Sequence, residues 1–144
     1  MFIVLVTLVL SLAALVSVDA GQLYTTTTPS HSTVYYEQPA GTPKGVVLAL
    51  HGCDHGAEDF WNRSSSCLGC HGLPVGLTTS AYIVKNGYIF ASFSTSSLNG
   101  CWSSISDGLH FGEVVQLLNK KFSVPLFVYG ISIGTLALLV NLGK

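Results

Sequence analysis

VPLFVYGISIG, residues 124–134, runs from a short apolar strand into a G-x-S-x-G turn. The apolar residues 135–142 follow as a predicted helix, so Ser132 is expected on a sharp strand-to-helix turn. Gly130 and Gly134 lie two residues either side of it and allow that turn without a Cβ clash. The helix start supplies free N–H groups that favour an oxyanion, so the sequence predicts Ser132 as a nucleophile. The alternative is an ordinary small-residue turn, because Gly and Ser are common residues.

A second apolar run, Gly45 to Leu50, is typical of a strand that helices bury on both faces. His51-Gly52-Cys53 follows it directly, and an HG pair in this position is typical of the loop that supplies an oxyanion-binding N–H group. The two predicted donors are the backbone N–H groups of Cys53 and of Ile133, the residue after the serine. His51 itself is predicted to be a buried structural residue. The histidine that serves as base for a serine in a G-x-S-x-G turn follows that serine in the sequence, and His51 precedes it.

Predicted strands alternate with predicted helices along the chain. Thr33 to Tyr36 and Tyr88 to Phe93 have strand patterns, residues 78–86 have a helical pattern, and Ser106-Asp107 can cap a further helix that runs to Lys121. This alternation predicts the α/β class, with a mainly parallel sheet flanked by helices. The active site of such a sheet lies beyond the carboxyl ends of its strands, where the loop after Leu50 and the turn after Tyr129 both begin.

VVLALHG at 46–52 and VYGISIGTLAL at 128–138 resemble the first half of the α/β-hydrolase fold, over residues 33–144. HGC at 51–53, DFW at 59–61 and CLGCHGLP at 67–74 are similar to a group of uncharacterised secreted hydrolase-like proteins. Val75-Gly76 departs from that group, whose members carry acidic residues after the proline. The resemblance implies a serine hydrolase for a small-molecule or lipid-like ester, or a related acyl bond, with no metal and no cofactor.

The acid and the histidine of a catalytic triad follow the serine in this fold. Residues 133–144 contain no Asp, Glu or His, so the resemblance implies a partial α/β-hydrolase fold, truncated after the nucleophile turn. The sequence therefore predicts no serine-hydrolase turnover from residues 21–144 alone. It also predicts self-association, because the strand at 124–129 becomes an apolar sheet edge. The alternative function is a non-catalytic secreted binding or interaction domain on the same scaffold.

Cys53, Cys67, Cys70 and Cys101 predict two disulfides in an oxidising compartment. Of the three pairings, Cys53 with Cys101 and Cys67 with Cys70 is favoured, because Cys53 and Cys101 each follow a strand of the same sheet. The residues from Cys67 to His71 also spell C-x-x-C-H, the haem-attachment motif, and C-x-x-C is also the spacing of a zinc half-site or a redox pair. A loop held by a disulfide is favoured over these interpretations. The sequence shows no partner that could act as an axial haem ligand, and it shows no clear second pair of zinc ligands.

Residues 1–20 are predicted as a signal peptide, because an apolar segment precedes Val18 and Ala20 at the −3 and −1 cleavage positions. The protein is then secreted, and an uncleaved membrane anchor is the alternative. The Thr- and Ser-rich residues 21–32 are predicted as a flexible arm before the hydrolase domain at 33–144. Asn62-Arg63-Ser64 is a glycosylation sequon. A net charge of −1 without a basic cluster argues against a nucleic-acid partner.

Overall fold

The computed structural model describes residues 21–132 and Gly134. The predicted signal peptide, Ile133 and the predicted helix at 135–142 lie outside the described residues. Within them the elements follow the order β1 (Leu23–Thr27), β2 (Thr33–Glu37), β3 (Val46–Leu50), a 3₁₀ helix (Ala57–Phe60), α1 (Pro74–Lys85), β4 (Ile89–Phe93), α2 (Gly108–Phe122) and β5 (Leu126–Gly130). Neither α1 nor α2 is long and apolar enough to cross a membrane.

The five strands form one mixed sheet in the order β1-β2-β4-β3-β5. β3 pairs in parallel with both β4 and β5, whereas β2 pairs antiparallel with β4 and with β1. Each parallel connection contains a helix, because parallel neighbours require a crossover. This confirms the predicted α/β class. The register places Leu50 beside Gly130. The carboxyl ends of β3 and β5 therefore lie side by side, at the same end of the sheet.

The two faces of the sheet bury separate apolar clusters. One cluster packs α2 on the sheet through Val114 and Leu118, and the other packs α1 and the 3₁₀ helix through Val84 and Phe60. β4 is buried along its whole length, as expected for a strand with helices on both faces. β5 lies at the edge of the described sheet, where two large side chains, Phe127 and Tyr129, are about half exposed. Self-association through this edge stays a prediction.

The N-terminal arm contains a strand that the sequence did not predict. Residues 23–27 pair antiparallel with β2, Leu23 is buried, and the rings of Tyr24 and Tyr36 stack with their centroids 5.4 Å apart. The expectation of a loose arm is therefore wrong for this segment. The Thr residues that suggested low complexity are β-branched, and β-branched side chains favour strands once a neighbour is present.

The start of α1 and the capping of α2 differ from prediction. α1 begins at Pro74 instead of residue 78, because a proline in the first turn loses no helical hydrogen bond. Asp107 precedes α2, but its side chain makes no capping hydrogen bond to the helix. Its carboxylate instead accepts hydrogen bonds from the loop after β4, including the backbone N–H groups of Ser96 and Ser103.

Replacing Gly76 with alanine is expected to destabilise the fold. A Cβ atom at this position of α1 would lie 2.4 Å from the backbone oxygen of Asp59, which cannot move without shifting the 3₁₀ helix. We expect a loss of about 1–3 kcal/mol in the free energy of unfolding, measured by chemical denaturation. Gly112→Ala in α2 is the matched control, because a Cβ there meets no atom within 4 Å. We expect it to stabilise the fold by up to about 1 kcal/mol, and an equal loss in both variants would contradict this packing.

Candidate active site

Ser132 lies on a tight turn directly after β5. Its φ angle is 55°, in the left-handed region that residues with a Cβ seldom occupy, and its side chain is exposed. The backbone N–H of Ile131 donates to the carbonyl of Leu50 at 3.0 Å, and that of Gly134 donates to the carbonyl of Ile131 at 3.0 Å. The first bond ties the turn to the end of β3, and the second closes the turn itself. Strained backbone of this kind persists where the surrounding structure enforces it, and it is concentrated at functional sites.

Gly134 lets this turn sit close to β3. A Cβ atom at Gly134 would lie 2.8 Å from the carbonyl oxygen of Leu50 and 3.0 Å from that of His51. No side chain fits there without moving backbone, so the second glycine of the motif is a packing requirement. Gly130, the first glycine, is the last residue of β5 and pairs with Leu50.

Gly52, in the loop that follows β3, lies against the Ser132 turn. A Cβ atom at Gly52 would lie 3.7 Å from Cβ of Ser132 and 3.6 Å from Cδ2 of His55. The HG loop and the serine, which are eighty residues apart in the sequence, are thus brought together. His55 comes with them, although the sequence had not placed it beside the serine.

His51 is buried and both of its ring nitrogens are hydrogen-bonded. Nδ1 donates to the carbonyl of Gly52 at 2.7 Å, and Nε2 accepts the backbone N–H of Thr95 at 3.1 Å. Burial is the largest influence on this imidazole and lowers the pKa of His51 below its usual value, so the ring is neutral at pH 7. Its ring also packs on Trp102, with centroids 4.9 Å apart. The ring links the ends of β3 and β4. Both of its nitrogens are already hydrogen-bonded, so neither is free to take a proton from the serine.

Cys53 is bonded to Cys101, which joins the loop after β3 to the loop after β4. Its backbone N–H, the predicted oxyanion donor, makes no hydrogen bond within residues 21–132 and 134. Ile133, the other predicted donor, lies outside the described residues. The neighbouring Asp54 is fixed, since its N–H donates to the carbonyl of Gly100 at 3.2 Å.

The second disulfide, Cys67–Cys70, lies within the loop between the 3₁₀ helix and α1. The pairing favoured from the sequence is therefore the one the structure has. Both cysteines are buried against Trp61 and its cluster, so this bond fixes the loop on the sheet. Each sulfur is bonded to the other, which leaves neither for the thioether links of haem or for zinc. Asn62, the predicted glycosylation site, is exposed on the same loop.

Two histidines share one buried carboxylate near the serine. Nδ1 of His55 lies 2.7 Å from Oδ2 of Asp59, and Nε2 of His71 lies 2.6 Å from Oδ1. The Gly69 carbonyl, which accepts from Nδ1, raises the pKa of His71, and the Asp59 carboxylate adds to this effect. No role was predicted for Asp59, although it belongs to DFW at 59–61, one of the motifs that carry the resemblance. Among the described residues no group of three or more His, Cys, Asp or Glu side chains is arranged to hold a metal ion.

A small cleft of about 120 Å³ opens beside the serine turn. His51, His55 and Asp59 form its polar side, and apolar side chains form most of the remainder. Gly52, which lies near the serine in space, lines the cleft. Ile131, which precedes the serine in the sequence, lines it as well. The apolar lining comes from Phe60, Leu73, Val75 and Ile131.

No protein-family model matches the sequence, and a search of curated proteins finds no match. Solved structures share its fold: a lipase in its open form (17% identity, TM-score 0.57), a carboxyl esterase from Bacillus coagulans (13%, 0.56) and an alpha-beta serine hydrolase homologue from Coxiella burnetii (11%, 0.50). Each alignment covers 81% of this chain, but only 37%, 37% and 54% of the other protein's length. The chain therefore resembles α/β hydrolases in structure and has a partial α/β-hydrolase fold.

Proposed function

We propose that this chain is part of a secreted serine hydrolase that cleaves ester or related acyl bonds, with Ser132 as the nucleophile. The observation that carries the proposal is the left-handed φ of 55° at Ser132, on a turn bonded to the end of β3. A left-handed serine within a G-x-S-x-G pattern, directly after a parallel strand, is typical of the nucleophile turn of a serine hydrolase. The likeness to a lipase and an esterase supports the same scaffold.

The tetrahedral oxyanion formed by attack of Ser132 requires backbone donors. We assign this role to the N–H groups of Cys53 and Ile133. The N–H of Cys53 is unbonded within the described residues, and the preceding Gly52 lies beside the serine turn. Loss of one such donor typically lowers the rate about 100- to 1,000-fold. The substrate has an ester or acyl group and apolar portions, because the cleft beside the serine is mainly apolar.

A fluorophosphonate probe tests the proposal on the secreted protein. The probe phosphorylates a serine only when its hydroxyl is activated, so we expect one adduct, and mass spectrometry of the peptides should place it on Ser132. An adduct on a different serine would assign the nucleophile elsewhere. A secreted protein that forms no adduct under any condition would favour the binding-domain alternative.

Secretion is proposed from the N-terminal pattern and from the chemistry of the cysteines. We expect a eukaryotic host to cleave the chain after Ala20 and to export it with both disulfides formed. N-terminal sequencing should begin at Gly21, and thiol titration of the denatured, unreduced protein should find no free thiol. The sequon at Asn62 is exposed, so a mass shift on glycosidase treatment is expected as well. A membrane-bound product that still begins at Met1 would support the anchor instead.

A further inference from the structure

We propose that the loop between β4 and α2 (residues 94–107, the β4 loop) fixes the backbone N–H of Cys53 as an oxyanion donor, with Cys101 and His51 as positioning residues. The inference rests on the proposed function, in which this N–H and that of Ile133 stabilise the oxyanion formed at Ser132. A donor of this kind is effective only when it already points to the place where the negative charge develops. The contacts between the β4 loop and the HG loop (residues 51–54) provide this orientation.

The His51 ring sets the direction of the Cys53 N–H through the peptide group between Gly52 and Cys53. Nε2 of His51 accepts the backbone N–H of Thr95 at 3.1 Å, so the ring proton lies on Nδ1, which donates to the Gly52 carbonyl at 2.7 Å. That carbonyl and the Cys53 N–H belong to one planar trans peptide group, in which they point in opposite directions. The N–H of Cys53 therefore points away from the His51 ring, and it makes no hydrogen bond within the described residues.

A covalent bond and a backbone hydrogen bond hold the donor residue from its other side. Sγ of Cys53 is bonded to Sγ of Cys101, which belongs to the β4 loop. In the next residue, the N–H of Asp54 donates to the carbonyl of Gly100 at 3.2 Å. Gly100 has a φ of 67°, and a Cβ atom there would lie 3.2 Å from Cα of Asp54, so the two loops are in close backbone contact. The donor residue therefore cannot shift without moving the β4 loop.

Hydrogen bonds hold the β4 loop in the shape that this role requires. The buried carboxylate of Asp107 accepts the backbone N–H groups of Ser96 and Ser103, at 2.8 and 2.7 Å. Hydrogen bonds to an ionised acceptor are among the strongest in proteins, so Asp107 gives the loop a fixed shape. The indole N–H of Trp102, a buried residue of the loop, donates to the backbone carbonyl of His51 at 2.8 Å. The β4 loop thus holds the HG loop through one covalent bond and three hydrogen bonds.

The donor held in this way lies close to the serine turn. A Cβ atom at Gly52, the residue before Cys53, would lie 3.7 Å from Cβ of Ser132 and 3.9 Å from the carbonyl oxygen of Ile131. A displacement of about 1 Å in a group that contacts the reacting atoms can lower a rate about 100-fold. An oxyanion donor acts in the transition state, so a displaced donor lowers kcat and leaves the binding of the ground-state substrate nearly unchanged.

The two disulfides provide matched variants. Cys53→Ala/Cys101→Ala removes the bond at the donor, keeps the backbone N–H of residue 53 and leaves no unpaired thiol. Cys67→Ala/Cys70→Ala also removes one disulfide and leaves no unpaired thiol, but that bond lies in the loop between the 3₁₀ helix and α1. A loss of activity confined to the first variant therefore reports the position of the donor, whereas an equal loss in both reports the removal of a disulfide. Melting temperatures set the assay temperature below the unfolding of either variant.

The experiment uses the secreted hydrolase of which we propose this chain is a part, with an activated ester and its thionoester as substrates. Sulfur replaces the carbonyl oxygen in the thionoester and accepts hydrogen bonds poorly, so the donor accelerates the ester far more than the thionoester. We expect Cys53→Ala/Cys101→Ala to lower kcat for the ester about 10- to 1,000-fold and to keep KM within about threefold of wild type. The ratio of ester to thionoester rates should fall as well. Cys67→Ala/Cys70→Ala should keep the wild-type kcat and the wild-type ratio.

His51→Leu tests the same positioning without removing a disulfide. It deletes the N–H that holds the Gly52 carbonyl, so it should lower kcat and the ester-to-thionoester ratio with little change in KM. His51→Asn carries a side-chain N–H the same number of bonds from the backbone as Nδ1, and it should restore part of both values. A purely structural role of His51 would leave the ratio unchanged in both variants.

Reduction of the folded wild-type protein replaces the first double variant where that variant is not secreted. Dithiothreitol gives up two electrons and two protons and becomes a cyclic disulfide, while the sulfur bond breaks and Cys53 and Cys101 become thiols. We expect the ester-to-thionoester ratio to fall as these two cysteines become open to alkylation in quenched samples. Mass spectrometry of the same samples shows whether the Cys67–Cys70 bond is still intact.

Two outcomes overturn the inference. A wild-type kcat and a wild-type ratio after loss of the Cys53–Cys101 bond, by substitution or by reduction, would show that the donor keeps its place without this bond. A lower kcat with an unchanged ratio would show a general disturbance of the site. A wild-type hydrolase that neither turns over the ester nor forms an adduct on Ser132 contradicts the proposed function itself, and the inference falls with it.

Discussion

In the secreted hydrolase of which we propose this chain is a part, Ser132→Ala is expected to abolish fluorophosphonate labelling and ester turnover, with a fall of at least about 1,000-fold. The hydroxyl is the atom that forms the covalent bond, so no neighbouring group replaces it. The fold should be unaffected: Ser and Ala both carry a Cβ, so the backbone strain at a φ of 55° is the same in both proteins. The measurement is the labelling rate together with the melting temperature of each protein.

Ser66→Ala is the matched control for this variant, because Ser66 is an exposed serine on the loop between the 3₁₀ helix and α1. We expect it to label at the wild-type rate. Equal loss of labelling in both variants would trace the effect to a general disturbance of the protein. Unchanged labelling in Ser132→Ala would remove the serine from the mechanism.

Asp107→Ala is expected to destabilise the fold by about 1.5–3 kcal/mol, the range for loss of hydrogen bonds to a charged group, because several exposed or half-buried donors lose their shared buried acceptor. The carboxylate is 1% exposed and accepts the backbone N–H groups of Ser96 and Ser103, at 2.8 and 2.7 Å. It also accepts the hydroxyl groups of Thr95 and Ser96, at 2.8 and 2.9 Å. Denaturant unfolding measures the loss. Asp107→Asn keeps one acceptor oxygen and should lose less, so an equal loss in both variants would contradict this account.

The same carboxylate makes stability depend on pH. Burial alone acts to raise the pKa of Asp107, but the hydrogen bonds from Ser103, Ser96 and Thr95 outweigh it and hold the pKa below its usual value. The stabilisation that the Asp107 carboxylate provides is therefore complete at pH values above about 3.9, the pKa of an aspartate in the unfolded chain. It is lost as the pH falls through the lower folded-state pKa. Wild-type stability should fall in that acidic range, and Asp107→Ala should show a smaller fall.

The central strands and the serine turn were predictable because their signals are local. A continuous apolar run bounded by glycines predicted β3, and an apolar run that ends at Gly130 predicted β5. The spacing of Gly130, Ser132 and Gly134 predicted the turn. The disulfide pairing followed from the same reasoning, because parallel strands bring Cys53 and Cys101 to one edge of the sheet. In each case a short pattern is enough to fix the local geometry.

Contacts that depend on distant loops were not predictable. Asp107 looked like a helix cap, but the donors that occupy its carboxylate come from the loop after β4. His71 reaches Asp59 only because the chain between them folds back around the Cys67–Cys70 bond. β1 was missed for a related reason, since Thr-rich residues become a strand only when β2 lies beside them.

The Cys53–Cys101 bond closes a covalent ring across a sequence separation of 48 residues, and the ring contains both α1 and β4. Arg63 is an exposed residue within this ring. A protease that cuts the chain after Arg63 opens the ring without releasing a fragment, because the two halves stay joined through sulfur. The nicked protein therefore keeps the serine turn and its neighbouring loop on one covalent frame.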